Sequence, residues 1–393
     1  MTVATEPTIQ TIPDLLIDNV NVLAGDDWLE NTRVQLSEGR ILAIGADVDT
    51  HCEQRIDGHG GYLLPGMIDL HGDAFERHIT PRTGTLFPLD LALAANDASL
   101  VTNGITTFFY SITDGFEPGP RSRQTVRGLL ETLESLAPRF RCQARVHIRH
   151  EQVNTDDHDE LVSWLESGRV HLLSLNDHLP LMDNERSIER YLDGLRRRVS
   201  MTEEETSHFL NSLQERRQPG AEQVVELARI AHQAGVSLAS HDDKGPEDVV
   251  LNRELGTAIA EFPMDAETAR ASREAGISVL MGAPNLVRGG SHVGAISVRE
   301  AIEQGLVDIL CSDYHYPSLF RAPFLAAEQG LMSLPQAWKM VSENPAKAAG
   351  MGNHKGTIAP GYDADLLLVS ELDGLPVSIQ TTIVGGVPVS RRG

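Results

Sequence analysis

The sequence predicts an α/β protein, a (β/α)8 TIM-like barrel with a small β-sandwich domain formed from both chain ends. Three observations lead to this prediction. The chain has 393 residues, a length that fits a barrel plus a smaller unit. Short strand patterns stand near both ends of the chain. Between them, eight strand-like segments alternate with helix-like ones.

The terminal segments have the pattern of short strands joined by turns. DLLIDNVNVLAG, TRVQLSEGRILAIG and QRIDGHGGYLLPG alternate apolar and polar residues between Gly and Asp turns, and KGTIAPGYDADLLLVS and TTIVGGVPVS repeat this pattern near the other end. We therefore predict one composite β domain from residues 1–64 plus 355–393. The barrel, residues 65–354, is inserted within it.

The barrel itself is predicted from strands that alternate with amphipathic helices such as AEQVVELARIAHQAG. The predicted strands are MIDLH (67–71), ITTFFY (105–110), ARVHIRH (144–150), VHLLSLND (170–177), GVSLASH (235–241), TAIAEFP (257–263), GISVLMG (276–282) and VDILCSD (307–313). A charged stretch at about 180–220 interrupts them and predicts two amphipathic helices. We interpret it as an insertion over the barrel top or at a subunit contact. A solvated excursion without function is the alternative.

Composition and charge limit the classes of partner. Hydrophobic residues make up 41% of the chain and the formal net charge is -23, which argues against nucleic acid or an anionic membrane. An anionic small molecule is still compatible with a few local Arg and Lys. The three cysteines, Cys52, Cys142 and Cys311, are widely spaced and indicate a reducing compartment. Without a signal-like start or a membrane-length apolar run, we expect a cytoplasmic protein, and a homo-oligomer is left open.

Imidazole and carboxylate side chains follow the predicted strand ends, where barrel enzymes have their active sites. His71 and Asp73 stand two residues apart, so they point the same way if their strand continues. Other strand ends carry His147, Arg149, His150, Glu151, Asn176, Asp177, His178, His241, Asp242, Asp243, Lys244, Glu261, Asp313, Tyr314 and His315. A mixed set of His and carboxylate suits zinc or a similar divalent ion. For any single pair, a hydrogen-bonded polar cluster is the alternative.

Asp313, after the last strand, is placed to accept a proton from a water molecule that a metal activates. Its alternative role is the N-cap of the next helix. A glycine-rich loop, MGAPNLVRGGSHVGAIS (281–297), follows the seventh strand. Glycines let backbone amides turn toward an anion and Arg288 adds a charged fork, so the loop predicts phosphate binding, with an ordinary turn as the alternative.

These motifs together resemble the amidohydrolase superfamily. The resemblance depends on PGMIDLH at the first strand, the strand-eight SD, and the closing GTIAPGYDADLLL. More narrowly, SLASHDDKGPEDV (237–249), EFPMDAETARASREAGISVLMGAPNLVRGGSH (261–292) and DILCSDYHYPSL (308–319) look like the PhnM-type branch. That branch comprises the phosphonate-metabolism diphosphatases acting on α-D-ribose 1-methylphosphonate 5-triphosphate. The resemblance covers nearly the whole chain.

The resemblance implies a metal-dependent hydrolase that cleaves a phosphoanhydride, releases pyrophosphate and leaves a 5-phosphate. It implies one or two divalent ions per chain, with zinc expected. Carried onto this chain, the metal ligands are His71, Asp73, Glu151, His178, His241 and Asp313, and Asp313 is also catalytic. Glu151 takes the bridging place of a carboxylated lysine. The first strand departs from the usual His-x-His pattern, which leaves the number of metals open.

Four residues are candidates for contacts with a phosphorylated substrate: Lys244, Arg288, Ser291 and His292. The competing hypothesis is a metal-dependent hydrolase of a C–N bond, in a small amide, cyclic amide or amine, because a fold does not fix a function. The glycine-rich loop favours phosphate over this alternative. A binding protein without metal is a third hypothesis, which the extent of the candidate ligand set disfavours.

Overall fold

The computed structural model describes residues 13–49, 51–52, 54–82, 84–117, 119, 121–180, 184–196, 199–290, 295–372 and 375–392. Predicted site residues Ser291 and His292 lie outside these ranges. The chain divides into two compact units. One unit comprises the described parts of Met1–Gly66 and Asn353–Gly393, and the other comprises Met67–Gly352.

The first unit is a mixed sheet of eight strands from both chain ends, which confirms the predicted composite β domain. The strands are β1 (Leu15–Ala24), β2 (Asp27–Ser37), β3 (Arg40–Ile44), β4 (Gln54–Asp57), β5 (Tyr62–Pro65), β14 (Leu366–Leu372), β15 (Leu375–Val384) and β16 (Val387–Arg391). Their order is β16-β15-β14-β5-β1-β2-β3, with β4 paired to β1. Alternate residues such as Leu15, Ile17 and Leu366 form its apolar core.

A buried ion pair explains part of the closing motif in this unit. Lys355 Nζ is 3.1 Å from Asp363 Oδ2 and also contacts the Asp365 carboxylate, while only 2% of the lysine side chain is exposed. A buried ammonium group needs such partners, because its desolvation is costly. The two acidic residues of GYDAD therefore have a structural role in the small sheet.

The second unit contains the predicted eight-stranded parallel barrel, and every predicted barrel strand is present. The strands are β6 (Met67–Gly72), β7 (Ile105–Asp114), β8 (Gln143–Glu151), β9 (Leu172–Asn176), β10 (Ser237–His241), β11 (Ile259–Glu261), β12 (Ser278–Gly282) and β13 (Ile309–Cys311). Each pairs with the next along the chain. A parallel bridge from Gly72 to Asp313 joins the last strand to the first. Apolar side chains from most of the strands fill the interior.

Helices connect the barrel strands. They are α1 (Glu76–Ile79), α2 (Leu89–Thr102), α3 (Arg123–Leu136), α4 (His158–Glu166), α5 (Glu185–Arg196), α6 (Glu203–Gln233), α7 (Pro246–Glu254), α8 (Ala266–Glu274), α9 (Ala283–Arg288), α10 (Val298–Glu303), α11 (Tyr316–Glu328), α12 (Leu334–Lys339) and α13 (Glu343–Ala348). Two short 3-10 helices span Gly45–Asp47 and Ala137–Arg139. Among the described residues, no helix has the length and apolar character needed to cross a membrane.

The insertion forms two helices, α5 and α6, but the second does not end near residue 220. It runs on to Gln233 and includes Pro219. Gly220 permits a close approach at this point, because a Cβ there would lie 2.2 Å from the carbonyl oxygen of Gln152. The second helix of the insertion and the helix that leads into β10 are therefore one continuous helix, although the sequence pattern predicted two.

The insertion packs on loops that follow the barrel strands. Leu195, Phe209 and Leu213 share an apolar cluster with Val153, which follows β8. The ring of Phe209 stacks on Phe116, after β7, with centroids 5.8 Å apart. This core fixes the insertion above the carboxyl ends of the strands, where the candidate ligands lie.

Candidate metal centre

Backbone pairing at the closure of the barrel brings three predicted ligands together. The amide of Asp313 donates to the carbonyl of His71 at 2.9 Å, and the amide of Asp73 donates to the carbonyl of Asp313 at 3.0 Å. Asp313 has a φ of 53°, a left-handed conformation that is uncommon outside glycine and is enriched at functional sites. The two strand ends thus hold these side chains at one edge of the barrel mouth.

Three other side chains form a triangle with the spacing of a metal site. His178 Nε2 is 3.1 Å from His241 Nδ1, and Asp242 Oδ2 is 3.5 Å from the former and 3.4 Å from the latter. A tetrahedral ion with bonds of about 2.0–2.1 Å separates neighbouring ligand atoms by about 3.3 Å. The nitrogen and oxygen donors therefore fit a zinc-like divalent ion, with a fourth position left for water or substrate. Asp242 follows a predicted strand but is absent from the predicted ligand set.

Glu151 lies beside this triangle and hydrogen-bonds one of its imidazoles. Its Oε1 is 2.5 Å from His178 Nδ1, which leaves the opposite ring nitrogen facing the triangle. Burial raises the pKa of Glu151, but the His178 charge and hydrogen bond outweigh this and lower it to about 2. Burial lowers the pKa of His178, whereas Glu151 and Asp242 raise it to about 9. A carboxylate in this position orients a metal-binding imidazole.

Arg149 lies between the two groups of candidate ligands. Its Nη2 is 3.0 Å from His241 Nε2, and its Nη1 is 3.9 Å from Asp73 Oδ2. The residue is 7% exposed, so its charge is held inside the site. Arg149 alternates with His147 and Glu151 on β8, and all three point into the barrel. That period of two was the available sequence signal for a functional role of this arginine.

A buried group of two histidines and one glutamate lies deeper in the barrel. We call His71, His147 and Glu261 the buried triad. His71 Nδ1 is 2.9 Å from Glu261 Oε1, so the other ring nitrogen of His71 is left to bind a metal. His147 Nε2 and Glu261 Oε2 are 3.9 Å apart, and neither has a hydrogen-bond partner among the described residues. The ring of Phe262 packs edge-on against His71, with centroids 4.9 Å apart.

The pKa shifts distinguish a carboxylate that can accept a proton, Asp313, from two imidazoles that stay neutral, His241 and His71. Burial and the neighbouring Asp73 raise the pKa of Asp313 to about 7. Burial lowers the pKa of His241 to about 4 and that of His71 well below its ordinary value. Neutral imidazole is the form that binds metals, so His178 would have to release its proton on binding an ion. A carboxyl group that titrates near neutrality can exchange a proton with water.

Two cavities meet at this centre. The first, which we call the Asp313 cavity, is about 210 Å³ and is lined by His71, Asp73 and Asp313. The second, the insertion cavity, is about 300 Å³ and is lined by Glu151 and His178. Arg149, His241 and Asp242 line both cavities. A ligand can therefore reach the candidate metal residues from two sides.

The predicted phosphate-binding residues are more dispersed than their sequence suggests. Lys244 is exposed and lines a third depression, which shares His241 and Asp242 with the two cavities. Arg288 donates to Tyr314 Oη at 2.9 Å. The first half of the glycine-rich segment is helix α9 rather than a loop. The amides of Gly289 and Gly290 both donate to the carbonyl of Asn285, at 3.1 and 3.0 Å. They end the helix, so they are not available to an anion.

Comparison with known proteins identifies the family. Residues 62–389 match the model of the amidohydrolase family. The chain is 33% identical over 368 residues to the α-D-ribose 1-methylphosphonate 5-triphosphate diphosphatase of Escherichia coli (strain K12), and the match covers 91% of this chain and 96% of that protein. This relative confirms the resemblance to the PhnM-type branch that the motifs indicate. A 63-residue match, 44% identical, to the adenine deaminase of Bacillus licheniformis covers 16% of this chain and 10% of that protein.

Solved structures share the fold at low sequence identity. The dihydropyrimidinase of Brevibacillus agri superimposes with a TM-score of 0.62 at 16% identity, covering 96% of this chain and 95% of that one. The N-acetylglucosamine-6-phosphate deacetylase of Pasteurella multocida gives 0.63 at 13%, covering 95% and 98%. These matches support the barrel and its small β domain. The chain belongs to the amidohydrolase family and is a metal-dependent hydrolase.

Proposed function

We propose that the chain hydrolyses α-D-ribose 1-methylphosphonate 5-triphosphate, releasing pyrophosphate and leaving the 5-phosphate, in the breakdown of phosphonates. The relative from Escherichia coli, matched over nearly its whole length, supports this substrate. The observation that carries the proposal is the position of Asp313 at the cavity where the candidate metal residues and Arg149 meet. Hydrolysis of a phosphoanhydride needs a proton acceptor, a Lewis acid and a positive charge, and this cavity has room for all three.

The metal ligands are proposed from the two groups of side chains. His178, His241 and Asp242 have the spacing of one ion, and His71, Asp73, Glu151 and Asp313 supply the remaining donors of the predicted set. These residues would hold a divalent ion, which would supply Lewis-acid chemistry for the phosphoryl oxygen and for a water molecule. Zinc as this ion, one or two ions per chain, and a cytoplasmic location stay predictions.

Asp313 is proposed as the catalytic base. A water oxygen bonds to the α-phosphorus, and the P–O bond between the α- and β-phosphates breaks. The electron pair of that bond leaves with the pyrophosphate oxygen, and the carboxylate of Asp313 takes the water proton. Arg149, held at 7% exposure, is a buried positive charge beside the reacting group.

The substrate contacts of the glycine-rich segment also stay proposals. Arg288 is held beside the Asp313 cavity through Tyr314, which lines it. Ser291 and His292 follow in sequence. Lys244 is exposed in a neighbouring depression, from which its flexible stem can reach an anionic substrate. A small phosphorylated molecule is the proposed partner.

The direct test is pyrophosphate release from this sugar triphosphate by the metal-loaded wild-type chain. Asp313→Asn retains an oxygen that can reach an ion, so it should keep the metal and the fold. It should lose turnover by about 10²–10⁴-fold, because the water loses its proton acceptor. Arg186→Gln, on the exposed face of α5, is the matched control and should turn over normally. Hydrolysis of dihydrouracil, with no release of pyrophosphate, would instead favour the competing C–N hydrolase hypothesis.

A further inference from the structure

The two cavities at the candidate metal centre differ in their walls. Besides its polar residues, the Asp313 cavity has apolar walls from Phe262, Pro263 and Met281. The insertion cavity has three arginines, Arg121, Arg149 and Arg190. One cavity therefore suits a sugar and a methyl group, whereas the other suits an anion with several charges.

The carboxylates of the insertion cavity already have partners, so its arginines are not all neutralised. Three carboxylates line this cavity: Glu117, Glu151 and Asp242. Glu151 hydrogen-bonds His178, and Asp242 lies within 3.5 Å of the same ring. Burial lowers the pKa of Arg121, but the charges of Glu76 and Glu117 outweigh this and raise it. Arg121 pairs with Glu76 at 3.2 Å. Arg190 is exposed and has no ion pair with any residue that the structure describes. A guanidinium at the wall of a cavity without a carboxylate partner is free to bind an anion.

The insertion holds this arginine in a defined place. Arg190 and Tyr191 lie on α5 and both line the cavity. The ring of Tyr191 stacks on Phe209 of α6, with centroids 6.5 Å apart, and Phe209 stacks in turn on Phe116. The guanidinium is therefore carried by a packed helix rather than by a free loop.

The direction of phosphoryl displacement assigns the cavities to the two ends of the substrate. In an in-line displacement, the leaving group departs on the side opposite to the attacking water. Asp313, the proposed acceptor of the water proton, lines the first cavity and is not among the described residues that line the second. The leaving group consequently points toward the insertion cavity. The sugar oxygen is equatorial on the same phosphorus and can turn toward the apolar walls.

We propose that the insertion cavity is the site of the leaving pyrophosphate, with Arg190 as a specificity residue supplied by the helical insertion. This proposal rests on the proposed diphosphatase function. It separates the polyphosphate end of the substrate from the glycine-rich segment, where the sequence motifs suggested phosphate contacts.

The test is titration of inorganic pyrophosphate into the metal-loaded full chain, followed by calorimetry. Arg190→Gln should bind pyrophosphate about 10-fold or more weakly, the loss expected for a hydrogen bond to a charged group. Arg186→Gln, four residues earlier on α5 and lining neither cavity, should bind as the wild type does. Arg190→Lys, which keeps the charge, should recover part of the affinity if the fold is intact.

Two results would overturn the proposal in distinguishable ways. Unchanged pyrophosphate affinity in Arg190→Gln, or a loss in Arg288→Gln alone, would move the leaving group out of the insertion cavity while the diphosphatase function stands. A wild-type chain that neither binds pyrophosphate nor releases it from the sugar triphosphate would remove the proposed function together with the subsite.

Discussion

Two groups of histidine and carboxylate in the same barrel mouth differ in exposure and in hydrogen bonding. In the buried triad, the side chains of His71, His147 and Glu261 are at most 2% exposed. Around the triangle, the side chains of His178 and Asp242 are 32% and 40% exposed. The same residue types therefore have different uses. The open group can exchange an ion with solvent, whereas in the closed group His71 has a ring nitrogen left for an ion, and Glu261 orients it.

Buried polar atoms without a hydrogen-bond partner also distinguish the buried triad from the triangle. His147 Nε2 and Glu261 Oε2 have no partner among the described residues, although each is buried. Such atoms cost free energy unless a proton, a water molecule or an ion satisfies them. The triad can contact a metal through His71, whose Nδ1 is hydrogen-bonded to Glu261. We infer that Glu261 positions His71 rather than binding the ion itself.

The largest effect on metal binding is expected from removing one ligand of the triangle formed by His178, His241 and Asp242. His178→Ala should lose most of its bound metal and nearly all turnover, because it removes one ligand of three. The matched control is His158→Ala, since His158 also contacts a glutamine and a glutamate but lines none of the cavities at the centre. Elemental analysis of both purified variants checks this. Equal metal content in the two variants would end the assignment of His178.

A smaller effect is expected from the carboxylate of the triad. Glu261→Gln keeps the size of the side chain but weakens the hold on the His71 tautomer. Changing such a partner typically lowers metal affinity by about 10–100-fold. Competition with a chelator of known affinity measures this loss. If instead the metal disappears entirely, as in a ligand variant, Glu261 is itself a ligand and the two groups are not distinct.

The smallest functional effect is expected at His147. Its Nδ1 is 3.1 Å from both Leu70 O and Ser111 Oγ, and its Nε2 faces Glu261. His147→Gln should lower the free energy of unfolding by about 1–3 kcal/mol through a disturbed buried hydrogen bond, with metal affinity unchanged. Urea unfolding, run beside the chelator assay, separates the two quantities. A loss of metal without a loss of stability would contradict the structural role.

The architecture could be predicted because short sequence patterns determine where its strands lie. Apolar runs ending in polar residues marked all eight barrel strands, and the alternation near the chain ends marked the small sheet. The continuous helix α6 was not predicted, because Pro219 normally ends a helix. Gly220, the next residue, lets the continuous helix lie against the carbonyl of Gln152, a contact that the sequence pattern does not report.

The sequence predicted where the candidate site lies, at the carboxyl ends of the barrel strands, but not its geometry. Strand ends marked a larger group of histidines and carboxylates, since parallel strands end at one edge. The family resemblance selected from it His71, Asp73, Glu151, His178, His241 and Asp313, which stay predicted ligands. The pairing of Arg149 with His241 joins residues 92 positions apart, so no local pattern reports it. Asp242 was not selected, because its side chain is turned by a left-handed backbone, with a φ of 55°. Helix α9 likewise uses the glycine amides that suggested an anion site.

Metal content tests most directly whether the triangle of His178, His241 and Asp242 holds a divalent ion. The measurement compares the purified wild-type chain with Asp242→Asn, which keeps the left-handed backbone accessible, and with Asp73→Ala. We predict one or two ions per wild-type chain and a clear loss of metal in Asp242→Asn. A loss of metal in Asp73→Ala would mark a second ion. A wild-type chain without metal, or full occupancy in Asp242→Asn, would contradict the assignment of an ion to the triangle.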